Sequence, residues 1–439
     1  MRKRILVFIT AVLLLIAMLA GCNAAVPEGN TDVSENVGSP NGTETSEDVS
    51  FEQSDDNAGI EVSGEQSGDY DPSIEISTAP DISQEPETSE PETSEPDTSE
   101  PVEPPLVPNP IVKRPTLQIP AITTPVWDGS AAEGFASGTG TQADPFIIET
   151  AEQLAFFANS VNGGTSYEGQ FVCLANNIKL NEGTPSPESG DNDNKWTSIG
   201  TANNRFKGTF DGKGNVVAGV YENCLFGVVQ GNVANVGVVY SYVYGGGVIN
   251  TAVRDNLPDM ISISNCYFAS GTVIGGGGIA MSISGTNLDN CSNWGTVICD
   301  ADWCGGIVGF SQMSYITNCY NGGTVSGDST LGGIVGHFSI GKVTYCLNEG
   351  DVNGSFFSAG IIGNSFTGIY MDLVNTGKIS GSKCAGILIE MSDFNPLDFC
   401  YYLEGTAEYG SNSAGIAFEN LPQFAISVTE DKLDELIKD

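Results

Sequence analysis

Positive charge and histidine are scarce in this 439-residue chain: 16 Lys or Arg stand against 55 Asp or Glu, and His337 is the one histidine, for a formal net charge of −39. The balance argues against a nucleic-acid partner, because phosphates need a basic footprint. A single histidine offers no second imidazole for a zinc site and little from which to assemble a catalytic triad. Apolar runs are missing after residue 20, and the repeated part of the chain holds nothing with the 3.6-residue period of a helix. Residues 23–112 contain 23 acidic residues and no Lys or Arg, amid Ser, Thr and Pro. Such a stretch has too little apolar surface to offset the entropy of ordering it, and its charges and prolines extend it. It reads as a stalk over 23–118.

At the N-terminus, Arg2, Lys3 and Arg4 precede an apolar run from Ile5 to Ala20 that closes on Leu19-Ala20-Gly21-Cys22. The run is short for a membrane span of about 20 residues. Its ending resembles the lipobox of bacterial lipoproteins, in which the cysteine is acylated and becomes the new N-terminus. That resemblance implies a signal peptide over 1–22, a lipid on Cys22, attachment to the membrane through it, and a location on the outer face of the bacterial cell membrane.

The folded part, 119–439, is organised by an echo. GGIAM (277–281), GGIVG (305–309), GGIVG (332–336), AGIIG (359–363), AGILI (385–389) and AGIAF (414–418) place Gly278, Gly306, Gly333, Gly360, Gly386 and Gly415 at successive spacings of 28, 27, 27, 26 and 29. Between them fall NCSNWGTV (290–297), NCYNGGTV (318–325), YCLNEGDV (345–352) and DLVNTGKI (372–379). Fixed self-similarity at this period means a solenoid, and short β-branched runs parted by Gly, Asn and Ser mean strands. The expected fold is all-β, a parallel β-helix, clearest over 261–420, with coils stacked at about 4.8 Å. Cys266, Cys291, Cys319 and Cys346 share one slot and are expected to form an inward ladder of reduced thiols, since stacked side chains point in parallel. Cys299, Cys304 and Cys384 fall outside it, leaving a Cys299–Cys304 bridge open. An N-terminal cap is expected over 127–170. There Thr150 and Gln153 form a capping-box pattern before Leu154, Phe157, Ala158 and Val161 at helical spacing. A second cap helix is expected over 428–439, with Leu433, Leu436 and Ile437 on one face.

The Gly-Gly-Ile-Val-Gly and Asn-Cys-Tyr-Asn-x-Gly-x-Val repeats resemble GLUG-motif bacterial surface proteins, as does the lead-in with GTQADPFIIETAEQLAFFANSVNGG (139–164) and FKGTFDGKGNVV (206–217). The resemblance covers roughly 127–420. It implies a right-handed parallel β-helix and a surface binding role, and is nearly silent on chemistry.

Three functions remain open. Adhesion or ligand binding, with a glycan or a host or neighbouring surface protein as partner, would use Trp303 and Phe357, which share an outward slot two coils and about 10 Å apart, with Trp294 on the adjoining turn. A polysaccharide lyase or hydrolase would need converging acids, for which Asp300 and Asp302 are the candidates close in sequence. A structural envelope spacer would need neither. His337 shares its slot with Phe310, Asn364 and Glu390 and is expected at an outward corner. No cofactor is expected. A structural calcium ion would use Asp191 and Asp193 in SGDNDNKW (189–196), although Lys195 occupies a ligand position.

Overall fold

The structure is a computed structural model of the chain. The structure describes residues 112–189, 193–255, 259–300, 302–390, 397–407, 411–413 and 425–438, all within one compact unit, Thr98–Asp439. Cys22 and Asp191 lie outside the described residues.

The chain forms a parallel β-solenoid of about nine turns with a helix near its start. Columns of like residues run down its interior. One is Val243, Val273, Val297, Val325, Val352 and Ile379. Another is Val233, Ile263, Leu288, Ile316, Val343, Tyr370 and Leu397. The Gly-Ile-Val-Gly blocks lie in an eight-stranded parallel sheet that runs from Phe226–Val229 to Ser411–Ser413; its last pairing, Leu388 with Ser411, falls before the AGIAF block, which lies outside the described residues. Regular coils therefore begin well upstream of residue 261.

Two polar ladders explain the other repeated letters. Asn293, Asn321, Asn348 and Asn375 stack in register and are fully buried. Each amide donates to the next, at 2.8, 2.7 and 2.7 Å, and to the carbonyl two residues ahead. A buried amide so satisfied avoids the desolvation penalty of an unpaired one. Cys266, Cys291, Cys319 and Cys346 form the predicted ladder of buried thiols. Each thiol donates to the carbonyl two residues before it, at 3.2–3.4 Å. Burial pushes Cys291 and Cys319 well above the ordinary thiol range.

The residue preceding each of these cysteines turns the chain with a left-handed backbone: Asn265, Asn290 and Asn318, then Tyr345, all with φ between 51° and 57°. Asparagine tolerates this conformation better than other side chains do. The amides of Asn265, Asn290 and Asn318 also bond to the coil before, at 2.7–2.8 Å.

Helix α1, Ala151–Asn162, caps the first coils as the sequence predicts. Thr150 and Gln153 close a capping box, and Leu154, Phe157, Ala158 and Val161 are buried. Phe157 meets Phe206 and Phe210 at ring separations of 5.5 and 6.2 Å.

Both ends of the described chain depart from the sequence expectation. Helix α2, Glu430–Leu436, is shorter than predicted, and Ile437 belongs to a strand, Ile437–Lys438, paired in parallel with Val112–Lys113. Leu433 and Leu436 pack on a flank column of Tyr320, Leu347, Val374 and Tyr401 together with Val112. The chain from Val112 onward is thus a strap along that flank, seven residues earlier than position 119. Arg114 clamps Glu349 (2.5–3.0 Å), which also accepts from the Tyr320 hydroxyl (2.8 Å). Leu117, Ile119 and Ile122 pack on Val216, Ala218, Val239 and Ala269.

Candidate functional site

The register confirms the column Trp303, Thr330, Phe357 and continues it to Lys383. The two rings have separate surroundings. Trp303, 37% exposed, turns toward Phe310 (5.6 Å) and His337 (5.0 Å). Phe357 contacts Phe356 (5.5 Å) and lies under the Lys383 ammonium (5.0 Å). Trp294 belongs to neither group. Its half-buried ring sits between Tyr267 (6.1 Å) and Tyr320 (5.4 Å) and packs against the apolar clusters that the strap joins. Trp294 lies on the strand Ser292–Cys299, which precedes the Trp303 strand; consecutive coils place aromatics beside it, and the strap residues pack around the same cluster.

The sequence reading missed the partners of Trp303. Ser282, Phe310, His337 and Asn364 occupy one outward column of the eight-stranded sheet. Glu390 does not continue it: a register shift after Ile362 pairs Glu390 with Ser365 instead. Phe310 and His337 stack face to face, with centroids 5.2 Å apart and planes 3° from parallel. His337 is more sheltered than an outward corner implies. Burial holds its imidazole below the usual histidine range, and its Nδ1 is buried with no hydrogen-bond partner among the described residues.

The Trp303 and Phe310 rings border a cleft of about 330 Å³ lined by Gly276, Met281, Ser282, Asp302, Trp303 and Phe310. Ligand sites run to about 300–1,000 Å³ and are mostly apolar with a few placed polar groups. The cleft matches that pattern at the small end, with one carboxylate, one hydroxyl and two aromatic walls. The Cys299–Cys304 bridge left open by the sequence is formed, and it closes the loop that carries Asp302 and Trp303. Cys384 instead directs its thiol to the Gly381 carbonyl (3.4 Å).

The acids separate into different duties. The Asp302 carbonyl accepts from the Thr330 amide (3.4 Å) and the Ser329 hydroxyl. Burial, then the Tyr244 and Tyr221 phenols and the Asp300 charge, push the Tyr242 phenol up. Asp289 accepts from Thr317 (2.6 Å) and Asn318 (2.7 Å) at a corner. Asp193 has a buried, unpartnered carboxylate oxygen among the described residues, whereas Lys195 pairs with Glu222 at 2.6 Å. Among the described residues no three His, Cys, Asp or Glu side chains are grouped to hold a metal.

No family model matches the chain, and no curated protein matches it. Among solved structures it is similar to one described as "a putative immunoglobulin A1 protease from Bacteroides ovatus", with 22% identity and a TM-score of 0.42. The match covers 67% of this chain and 85% of that one.

Proposed function

We propose that this chain is a lipid-anchored bacterial surface protein of GLUG type whose solenoid binds a ligand, a neutral glycan above all, in the Trp303 cleft. The observation that carries the reading is the pair of aromatic walls, Trp303 and Phe310, on a cleft with Asp302 at its lining, both rings being in contact with His337. Sugar rings present C–H faces that pack on aromatic planes, while hydroxyls take hydrogen bonds from a few polar groups. Asp302 and the acidic body, 32 acids against 13 bases from residue 113 onward, disfavour polyanions and favour neutral saccharides. The Leu-Ala-Gly-Cys22 ending supports the anchor, and the charged, proline-rich stretch to residue 111 supports a stalk that carries the cleft away from the membrane.

The test is to apply the labelled full chain to an array of glycans and matrix proteins. Retention on neutral glycans, lowered about tenfold by Trp303→Ala, is the expected result, since a buried aromatic anchor contributes about 2 kcal/mol or more. Retention on no class, or binding indifferent to that substitution, overturns the reading.

A further inference from the structure

The cleft exists because one corner of the solenoid is longer than its neighbours. Ile274 pairs with Ile298 and Gly277 with Gly305. The earlier coil therefore crosses this corner in three residue steps and the later one in seven. On the following coil the corner shortens again by one residue: Val297 pairs with Val325, an offset of 28, whereas Cys304 pairs with Leu331, an offset of 27. That single residue is the 28 in the glycine spacings. The surplus chain overhangs the short corner beneath it, so Gly276 and Met281 line the cleft beside Asp302 and Trp303.

The overhang is pinned. Cys299 and Cys304 are bonded across it, and the Gly276 amide donates to Cys304 Sγ at 3.2 Å. In the next two coils the positions paired with Cys299 are Gly327 and Gly354, and those paired with Cys304 are Leu331 and Ser358. The crosslink thus sits on the long corner and not on those two. Asp302 and Trp303 lie inside the ring that it closes.

We infer that the Cys299–Cys304 disulfide is a redox latch on the cleft. Closed, it holds Trp303 against Phe310 and His337; opened by a dithiol reductant, it frees the corner and weakens ligand binding. The step balances: the S–S bond breaks, each sulfur gains a hydrogen, and the dithiol closes to its own disulfide. Reduction spares the ladder of Cys266, Cys291, Cys319 and Cys346, whose sulfurs are already thiols. The inference rests on the ligand-binding reading of this cleft, and names its regulation.

The experiment is amide hydrogen exchange and glycan binding of the full chain, oxidised and after dithiothreitol, with Cys299→Ala/Cys304→Ala as a reductant-free counterpart. Exchange over 300–304 is expected to rise at least tenfold on reduction and in the double variant. Exchange at the core positions Ile307, Ile334 and Ile361 stays unchanged, and glycan affinity falls about tenfold. Unchanged exchange over 300–304 overturns the latch, whatever is bound. Faster exchange with undiminished affinity also overturns it, because the corner would then be irrelevant to the site. An oxidised chain that binds no glycan overturns the ligand-binding reading instead, and with it the gating of a ligand.

Discussion

Gly333 and Asn348 interlock: a Cβ built on Gly333 would fall well under 3.0 Å from Cγ of Asn348, and as close to the carbonyl oxygen of the next coil's Gly360. The same relation joins Gly306 to Asn321 and Gly360 to Asn375. The glycine of each Gly-Ile-Val block and the asparagine of each Asn-x-Gly block are thus two halves of one device. The buried amide ladder occupies the room that a side chain would take.

Gly333→Ala should therefore cost about 3 kcal/mol, because neither a carbonyl nor a hydrogen-bonded amide can move aside cheaply. Gly134 provides the contrast. It has nothing within 4 Å of a built Cβ and no positive φ, so Gly134→Ala should be neutral or stabilise by about 0.5 kcal/mol through the unfolded chain. Urea unfolding of the two variants checks the difference; equal midpoints would remove the interlock from the account.

Position along the ladder should matter as much as residue type. Asn321 donates to Gly323 and Asn348 and accepts from Gly323 and Asn293. Asn375 stands at the end of the ladder, and the next coil places Tyr402 in its slot. Removing Asn321 orphans groups on both sides, each costing about 1–3 kcal/mol. Asn321→Ala should destabilise by more than Asn375→Ala, by at least about 1 kcal/mol in the same unfolding experiment.

A pH signature follows from His337. Burial lowers its folded value below the ordinary 6.5, so below that pH the unfolded chain takes up a proton that the folded chain refuses. Its contribution is complete above about 6.5, declines as pH falls, and levels off below the folded value. Asp302, in the cleft lining beside Trp303, and the remaining carboxylates are common to wild type and variant. Melting temperatures of wild type and His337→Phe should diverge in favour of the variant between pH 7 and 5. A gap that stays constant with pH contradicts the burial of this imidazole.

Much of the architecture was legible because it repeats. Gly-Ile-Val-Gly and Asn-Cys recur at one period, and a capping box is local, so coils, thiol ladder and helix α1 could all be read in one dimension. The glycine–asparagine interlock was hidden for the opposite reason: Gly333 and Asn348 lie 15 residues apart and meet through the neighbouring coil. The strap was missed although two signals mark it, the first basic residues after the acidic stretch (Lys113, Arg114) and the spaced apolar Leu117, Ile119 and Ile122. Trp294 and Trp303 look alike in sequence, nine residues apart. What separates them is the register, which sets tyrosines on the coils either side of one and gives the other an overlong corner. The left-handed slot shows the limit of reading by letter, since Tyr345, Asp372 and Phe399 adopt the backbone that Asn265, Asn290 and Asn318 adopt. The coil's geometry there overrides residue preference.

The most direct test sets those two tryptophans against each other: affinity for the glycan retained by the full chain, measured by titration calorimetry for Trp303→Ala and Trp294→Ala. The account predicts a loss of about tenfold or more for Trp303→Ala and wild-type affinity for Trp294→Ala, whose ring packs beside the strap. Undiminished binding by Trp303→Ala, or an equal loss in both variants, would contradict it.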